Sequence, residues 1–298
     1  MRVARAMGPR YRAAMSKVEA DARVEAQPFL KWAGGKGAIA AQIEKLLPRD
    51  ARGRMYREPF LGGGAMYFHL QPERAALSDV LTDLVTAYQV VQTHVDALIT
   101  RLVALRETHS EAQYYAIRER YNAEKDADRI ERAAWLVYLN KTCFNGLYRT
   151  NSKGVFNVPV GRYTNPQIVD PTKMRVASAV LGRAEIKAAP FQHLLEVAEP
   201  GDLIYFDPPY VPTSRSSSFS GYHEGVFTID DQIRLAEVFE KLDERGCLLA
   251  LSNSDTDATR DLYKRFDVHR ILAPRAISSK ASTRGEVHEV LVRNVARY

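Results

Sequence analysis

Short apolar runs alternate with amphipathic stretches along this chain, and the rhythm breaks once. Residues 29–37 (FLKWAGGKG) pass from an apolar stretch into a glycine turn, and Ala38 to Leu47 carries apolar residues at helical spacing up to Pro48. Residues 55–61 (MYREPFL) predict a short buried strand. Gly62, Gly63 and Gly64 form a turn, Ala65 to Leu70 starts a helix, and the apolar run Ala75 to Leu77 ends at Ser78-Asp79. Strand, glycine turn, helix, strand and acid, in that order, make a nucleotide-binding α/β half. From about Tyr88 to Ile130 the pattern is helical and charged, with no strands between. The α/β rhythm returns with a strand at Asp202–Phe206, a Ser/Gly-rich loop at 211–225, a helix at Asp230–Leu242 and a buried strand at Cys247–Leu251, ended by Ser252-Asn253. The prediction is one α/β domain, residues 28–87 and 173–298, interrupted by a helical insertion at 88–172.

Hydrophobic residues make up 46% of the chain and charged ones 26%, which places it among soluble globular proteins. No stretch approaches the ~18 apolar residues of a membrane span. Cys143 and Cys247 offer neither a zinc spacing nor a disulfide framework, so they read as reduced, buried thiols of a cytosolic protein. The net charge of +6 allows an anionic partner without requiring one. Its distribution says more. Residues 141–175 hold six Lys/Arg and one acid, with Asn, Gly, Phe and Tyr interleaved, and Arg270 to Gly285 holds four Lys/Arg and no acid. Residues 1–27, rich in Ala and Arg, are expected to be a disordered basic arm, with Met15 as another possible start.

The segment with the most chemical content is Asp207-Pro208-Pro209-Tyr210, directly after the apolar strand. Neither proline can continue a sheet ladder, and each restricts the residue before it to extended geometry. Together they make a rigid projection at a strand's carboxyl end, where open α/β sheets place ligands. An exocyclic amine such as that of adenine is a poor nucleophile, because its lone pair is delocalised into the ring. Two fixed acceptors, the Asp207 carboxylate and the Pro208 carbonyl, can bond both amine hydrogens and draw the nitrogen toward a tetrahedral form. Its lone pair then faces a methyl donor. Tyr210 offers a ring on which an extruded base can stack. A plain strand-capping turn with Tyr210 in the core is the competing structural reading.

With FLKWAGGK at 29–36, EPFLGGG at 58–64, FNGLYRTNSKGVFNVPVGRY at 144–163, YFDPPY at 205–210 and ISSKASTRG at 277–285, the chain resembles the Dam-type DNA adenine N6-methyltransferases from Phe29 to its end. The resemblance implies a Rossmann-like fold dependent on S-adenosyl-L-methionine (AdoMet), with a helical target-recognition insertion. It implies that Asp207, Pro208, Pro209 and Tyr210 are catalytic. Trp32, Lys36, Phe60, Gly62, Gly64, Asp79, Phe191 and Asp207 would border the cofactor, with Asp79 on the ribose hydroxyls and Lys36 near the methionine carboxylate. For Asp79 the rival reading is an N-cap for the next helix. On the DNA side it implicates Lys31, Phe144, Asn145, Arg149 and Tyr163. Arg149 suits O6 and N7 of a guanine, and Phe144 or Tyr163 could wedge where the adenine leaves.

Two positions depart from the pattern. Pro190 precedes Phe191 where many relatives carry an acid near the adenine amine, leaving Gln192 or backbone groups to replace it, and Leu81 stands where Asn is frequent. The matches FNGLYR and FNVPVGRY are nearest to enzymes reading 5′-GATC-3′. The expected partner is double-stranded DNA, in the cytoplasm with the nucleoid, with no membrane and no metal; a restriction endonuclease acting on the same site is a further candidate. The alternatives are a DNA-binding protein without catalysis, or a methyltransferase acting on RNA or a protein amide.

Overall fold

The computed structural model describes residues 26–210, 227–274 and 286–294. Seven strands form one sheet: β1 (Met55–Glu58), β2 (Arg74–Asp79), β3 (Ala184–Ala188), β4 (Leu203–Phe206), β5 (Leu248–Ser254), β6 (Asp267–Pro274) and β7 (Glu286–Arg293), in the order β3-β2-β1-β4-β5-β7-β6. The first five are parallel, and β7 lies antiparallel between β5 and β6. Nine α-helices are described: α1 (Ala40–Glu44), α2 (Ala65–Leu70), α3 (Thr82–Glu107), α4 (Glu111–Ala123), α5 (Arg129–Thr142), α6 (Pro171–Leu181), α7 (Leu194–Val197), α8 (Ile229–Arg245) and α9 (Asp257–Leu262).

Strand order reverses between β1 and β4. From β1 the chain steps outward to β2 and β3, then returns to the far side of β1 for β4 and β5. A crevice therefore opens at the carboxyl ends of β1 and β4, the usual ligand position of an open parallel sheet. β4 is apolar at every position because both of its faces are covered: Leu203 and Tyr205 join one core, Ile204 and Phe206 the other. A buried ion pair, Arg57 Nε to Asp202 Oδ2 at 2.6 Å, ties β1 to the start of β4.

The structure moves some predicted boundaries. β1 stops at Glu58 rather than Leu61, since Pro59 has no N–H for the ladder. The first helix spans only Ala40–Glu44. Ser252 and Asn253 do not end their strand; they pair with Leu291 and Val290 of β7. Both are buried, which is tolerable because the Ser252 hydroxyl bonds the Tyr205 hydroxyl at 2.7 Å and Asn253 Nδ2 donates to Gln232 Oε1 at 3.1 Å. The expected disordered arm (1–27), the Ser/Gly-rich loop (211–225) and ISSKASTRG lie wholly or almost wholly outside the described residues.

Helices α3 to α6 fill the connection from β2 to β3. Residue 87 lies inside α3 and residue 172 inside α6, so both ends of the expected insertion fall within helices. The buried Trp135, Leu136 and Tyr138 of α5 join the same core cluster as Tyr56 and Leu77 of the sheet. Arg132 of α5 is buried and satisfied, with Asp83 at 2.6 Å and the Glu124 carbonyl at 2.7 Å. No described helix is long and apolar enough to cross a membrane.

Candidate active site

A cavity of about 770 Å³ occupies the crevice at the strand-order reversal. Trp32, Lys36, Phe60, Gly62, Gly64, Asp79, Phe191, Asp207, Pro208, Pro209 and Tyr210 all line it, so residues expected from five separate segments meet in one place.

The glycine turn forms one wall. Gly62 has φ +46° and Gly64 φ +65°, and a Cβ on Gly62 would stand 2.8 Å from Trp32 Cδ1. Both backbone freedom and close approach therefore require glycine here. Gly62→Ala is expected to cost about 1–2 kcal/mol of stability, read as a lower melting temperature; an unchanged melting temperature would refute the packing argument.

Asp79 ends β2 and faces the same turn. Its Oδ2 accepts the Gly62 N–H at 3.0 Å and its Oδ1 the Leu81 N–H at 3.0 Å. The N-cap of α3 is Leu81, which provides no side-chain bond, so Asp79 supports that helix end without being its cap. Burial raises the Asp79 carboxyl above the usual carboxylate range against these bonds. Beyond it, Phe60 stacks on Phe191 with centroids 5.5 Å apart and meets Phe227 edge-on at 5.7 Å, which gives an aromatic wall suited to a purine ring. Gln192 and Asp231 also line the cavity.

The Asp-Pro-Pro-Tyr projection also lines the cavity, and three outside groups hold it. Lys36 Nζ lies 3.0 Å from Asp207 Oδ1. Gln232 Nε2 donates to the Pro209 carbonyl at 2.8 Å. The Tyr210 hydroxyl donates to Glu289 Oε2 at 2.7 Å. Among the described residues no donor reaches the Pro208 carbonyl, which leaves it available. Burial pushes the Asp207 carboxyl up to about 6; Lys36 pulls it down and Glu289 up. The Asp207 side chain is paired, yet 19% exposed and open to the cavity.

Lys36, whose side chain is only 4% exposed, also donates to the Gly34 carbonyl at 2.5 Å and stands 4.6 Å from the Tyr210 ring centroid. Without a family pattern the expectation for this lysine would be a surface position; the glycine turn instead carries it into the crevice.

The candidate DNA residues lie elsewhere: Phe144, Asn145, Arg149 and Tyr163 on or just beyond an antiparallel ribbon after α5, and Lys31 beside it. Cys143 pairs with Val160 and Thr150 with Phe156, and the turn closes through Gly154 N–H to the Asn151 carbonyl at 2.9 Å. Phe144 is 46% and Tyr163 37% exposed, and Asn145 sits exposed at φ +54°. Lys31 Nζ covers the Tyr163 ring at 4.1 Å. Arg149 is exposed, with Nε bonded to Asn157 Oδ1 at 2.8 Å. In the second basic run, Arg270 pairs with Asp255 at 2.6 Å, and residues 275–285 lie outside the described residues.

Sequence reading singled out none of Asn140, Gln232, Glu58 and Glu289 as a site residue. Asn140, buried in α5, accepts the Lys31 N–H at 2.8 Å and donates to the Lys31 carbonyl at 2.7 Å and the Gly146 carbonyl at 3.1 Å, so it joins the ribbon to the Lys31-Trp32 segment. Glu58 ends β1 within the quoted EPFLGGG segment, lines the cavity and accepts the Tyr56 hydroxyl at 2.8 Å. The available signals were single polar residues set against apolar runs, Glu289 before Val290-Leu291-Val292 and Asn140 after Trp135–Leu139.

Residues 32–277 match the family described as D12 class N6 adenine-specific DNA methyltransferase. The chain is 42% identical to the type II methyltransferase M.MjaIII of Methanocaldococcus jannaschii, over 91% of this chain and all of that protein. It is 39% identical to the type II methyltransferase M1.LlaDCHI of Lactococcus lactis subsp. cremoris, over 91% of this chain and 96% of the relative. With the DNA adenine methylase of Escherichia coli K12 it shares 36% identity over 88% of this chain and 93% of the relative.

Proposed function

This chain belongs to the D12 class N6 adenine-specific DNA methyltransferases, and from that premise we propose that its cavity transfers a methyl group from AdoMet to the N6 amine of an adenine turned out of duplex DNA. The observation carrying this reading is that Asp207-Pro208-Pro209-Tyr210 leaves β4 into the same cavity that the glycine turn and Asp79 line.

The residues fit the donor. The close backbone at Gly62 and Gly64, the Asp79 carboxylate and the Phe60/Phe191 wall suit a nucleoside. Trp32 closes the turn by packing over it. Bound AdoMet supplies an electrophilic methyl on a sulfonium. Asp207 Oδ and the Pro208 carbonyl accept the two amine hydrogens, and Tyr210 stacks on the base. As the new N–C bond forms and the donor's S–CH3 bond breaks, releasing the neutral thioether S-adenosylhomocysteine, one amine proton must leave, and Asp207 is placed to take it and pass it to water. Lys36 keeps Asp207 ionised; of its three donors, two go to Asp207 and Gly34, and the third is suited to the donor's carboxylate.

A two-stranded ribbon has dimensions that the major groove admits. Residues 142–161 present one, with Lys31, Phe144, Asn145, Arg149 and Tyr163 on or beside it. Lys31 bonds backbone phosphate, Phe144 or Tyr163 fills the space the adenine leaves, Asn145 meets a base edge, and Arg149 reads a guanine within 5′-GATC-3′. Asn157 fixes the Arg149 fork for that role. The enzyme works where the cell's DNA is, and a restriction endonuclease cutting the same site is its proposed partner.

The test is to express the protein in a host lacking adenine methylation and sequence the modified DNA. The expected result is N6-methyladenine in GATC. Methylated adenine in another sequence overturns the site, and no label from tritiated AdoMet on DNA at any salt overturns the reaction. Arg149→Ala is expected to lose roughly 1–3 kcal/mol of discrimination at one base position, visible as methylation of near-cognate sites; a uniform loss at all sequences would reassign Arg149 to phosphate.

A further inference from the structure

The projection after β4 is held from β7 as well as by its own prolines. Glu289 lies near the far end of the chain in sequence, yet its Oε2 accepts the Tyr210 hydroxyl at 2.7 Å and stands 4.0 Å from Lys36 Nζ. Lys36 in turn reaches Asp207 Oδ1 at 3.0 Å and lies 4.6 Å from the Tyr210 ring centroid. Four side chains from three segments thus form one closed arrangement.

We propose that Glu289 is a positioning residue for methyl transfer, acting through Tyr210 and Lys36. Resting on the proposed reaction, the inference extends it to a residue outside the projection. Two physical consequences give it this role. The phenol bond holds the tip of the Tyr210 side chain, so the ring cannot swing away and an extruded base meets a stationary surface. The cation occupies one ring face, which leaves only the other for stacking. Glu289 also stands 4.0 Å from Lys36 Nζ, and its charge helps to hold the cation against the Tyr210 ring. β7 suits the task because it is hydrogen-bonded on both sides, to β5 and β6.

The experiment is a double-mutant cycle of Glu289→Ala and Tyr210→Phe, with Glu289→Gln as the conservative variant. Each single change is expected to lower kcat by roughly 10–100-fold, with DNA and AdoMet affinities within about threefold. The double variant should be no worse than the poorer single one, because both remove the same bond. Glu289→Gln keeps an acceptor for the phenol but loses the counter-ion, so it should fall between wild type and Glu289→Ala. Losses that multiply in the double variant, or kcat unchanged in Glu289→Ala, would overturn the proposal. A purely structural role would instead lower melting temperature and affinities together with kcat, and is a second overturning result. If wild type labelled no DNA, the reaction of the preceding section would fall; the bond itself is then scored by the same cycle in denaturant unfolding of the ligand-free protein, where additivity rejects it and non-additivity supports it.

Discussion

Asp207→Ala is expected to lower methyl transfer to adenine by roughly 10²–10³-fold or more, while duplex DNA still binds with near wild-type affinity. The size follows from what is removed. In the proposed reaction the amine gives its two hydrogens to two fixed acceptors, and the Pro208 carbonyl alone would not draw the nitrogen out of conjugation. The loss belongs in kcat, because the bonds strengthen as the nitrogen becomes tetrahedral. A pH signature goes with it. Burial favours the neutral acid, so the Asp207 proton is lost only near pH 6. The acceptor must be the carboxylate, so single-turnover rates should rise from pH 5 to 7 with a midpoint near 6. Asp207→Asn keeps one acceptor oxygen without the titration, and its residual rate should lack that limb. A rate for Asp207→Ala within twofold of wild type would remove the acceptor pair from the mechanism.

Glu58 carries the second large effect, on stability. It is buried at the end of β1, and burial pushes its carboxyl up to about 8; the Tyr56 hydroxyl opposes that rise, and Asp207 and Asp79 add to it. The folded state thus holds the proton more tightly than the unfolded chain. Its stabilising contribution is present in full below the unfolded value of 4.5 and is lost as pH rises through 8. At about 1.36 kcal/mol per unit, the loss reaches about 4 kcal/mol by pH 8. Glu58→Gln should therefore gain on wild type progressively between pH 5 and 8 in denaturant unfolding of the ligand-free protein. Parallel stability profiles for the two proteins would show that Glu58 is not held neutral.

Some of this was readable one segment at a time. Local physics acts over a few residues, and the marks it leaves are local: the two prolines that break a strand after Asp207, the glycines that a left-handed turn requires at 62 and 64, the apolar run Leu203–Phe206 covered on both faces. From such marks the α/β class, the helical stretch that follows β2, and the residues of the glycine turn and the projection were legible, whereas β3, β6 and β7 were not. The limits of β1 and β5 were less so, because a strand's end depends on what pairs with it: Ser252 and Asn253 extend β5 only where β7 lies alongside and Tyr205 and Gln232 meet their side chains.

By itself, then, the sequence determined which short segments are stiff, which turn and which carry acids or amines suited to an exchange of hydrogens. Only the tertiary structure decided that Lys36 rests on Asp207, that Asn140 joins the ribbon to the Lys31-Trp32 segment, and that Glu289 reaches Tyr210 across 79 positions of chain. Those contacts arise from strand order. The reversal at β1 and β4 opens the crevice, and insertion of β7 beside β5 brings the chain's last described strand to its edge. Pairing between distant strands is set by the whole core they bury together, and no short stretch of residues encodes it.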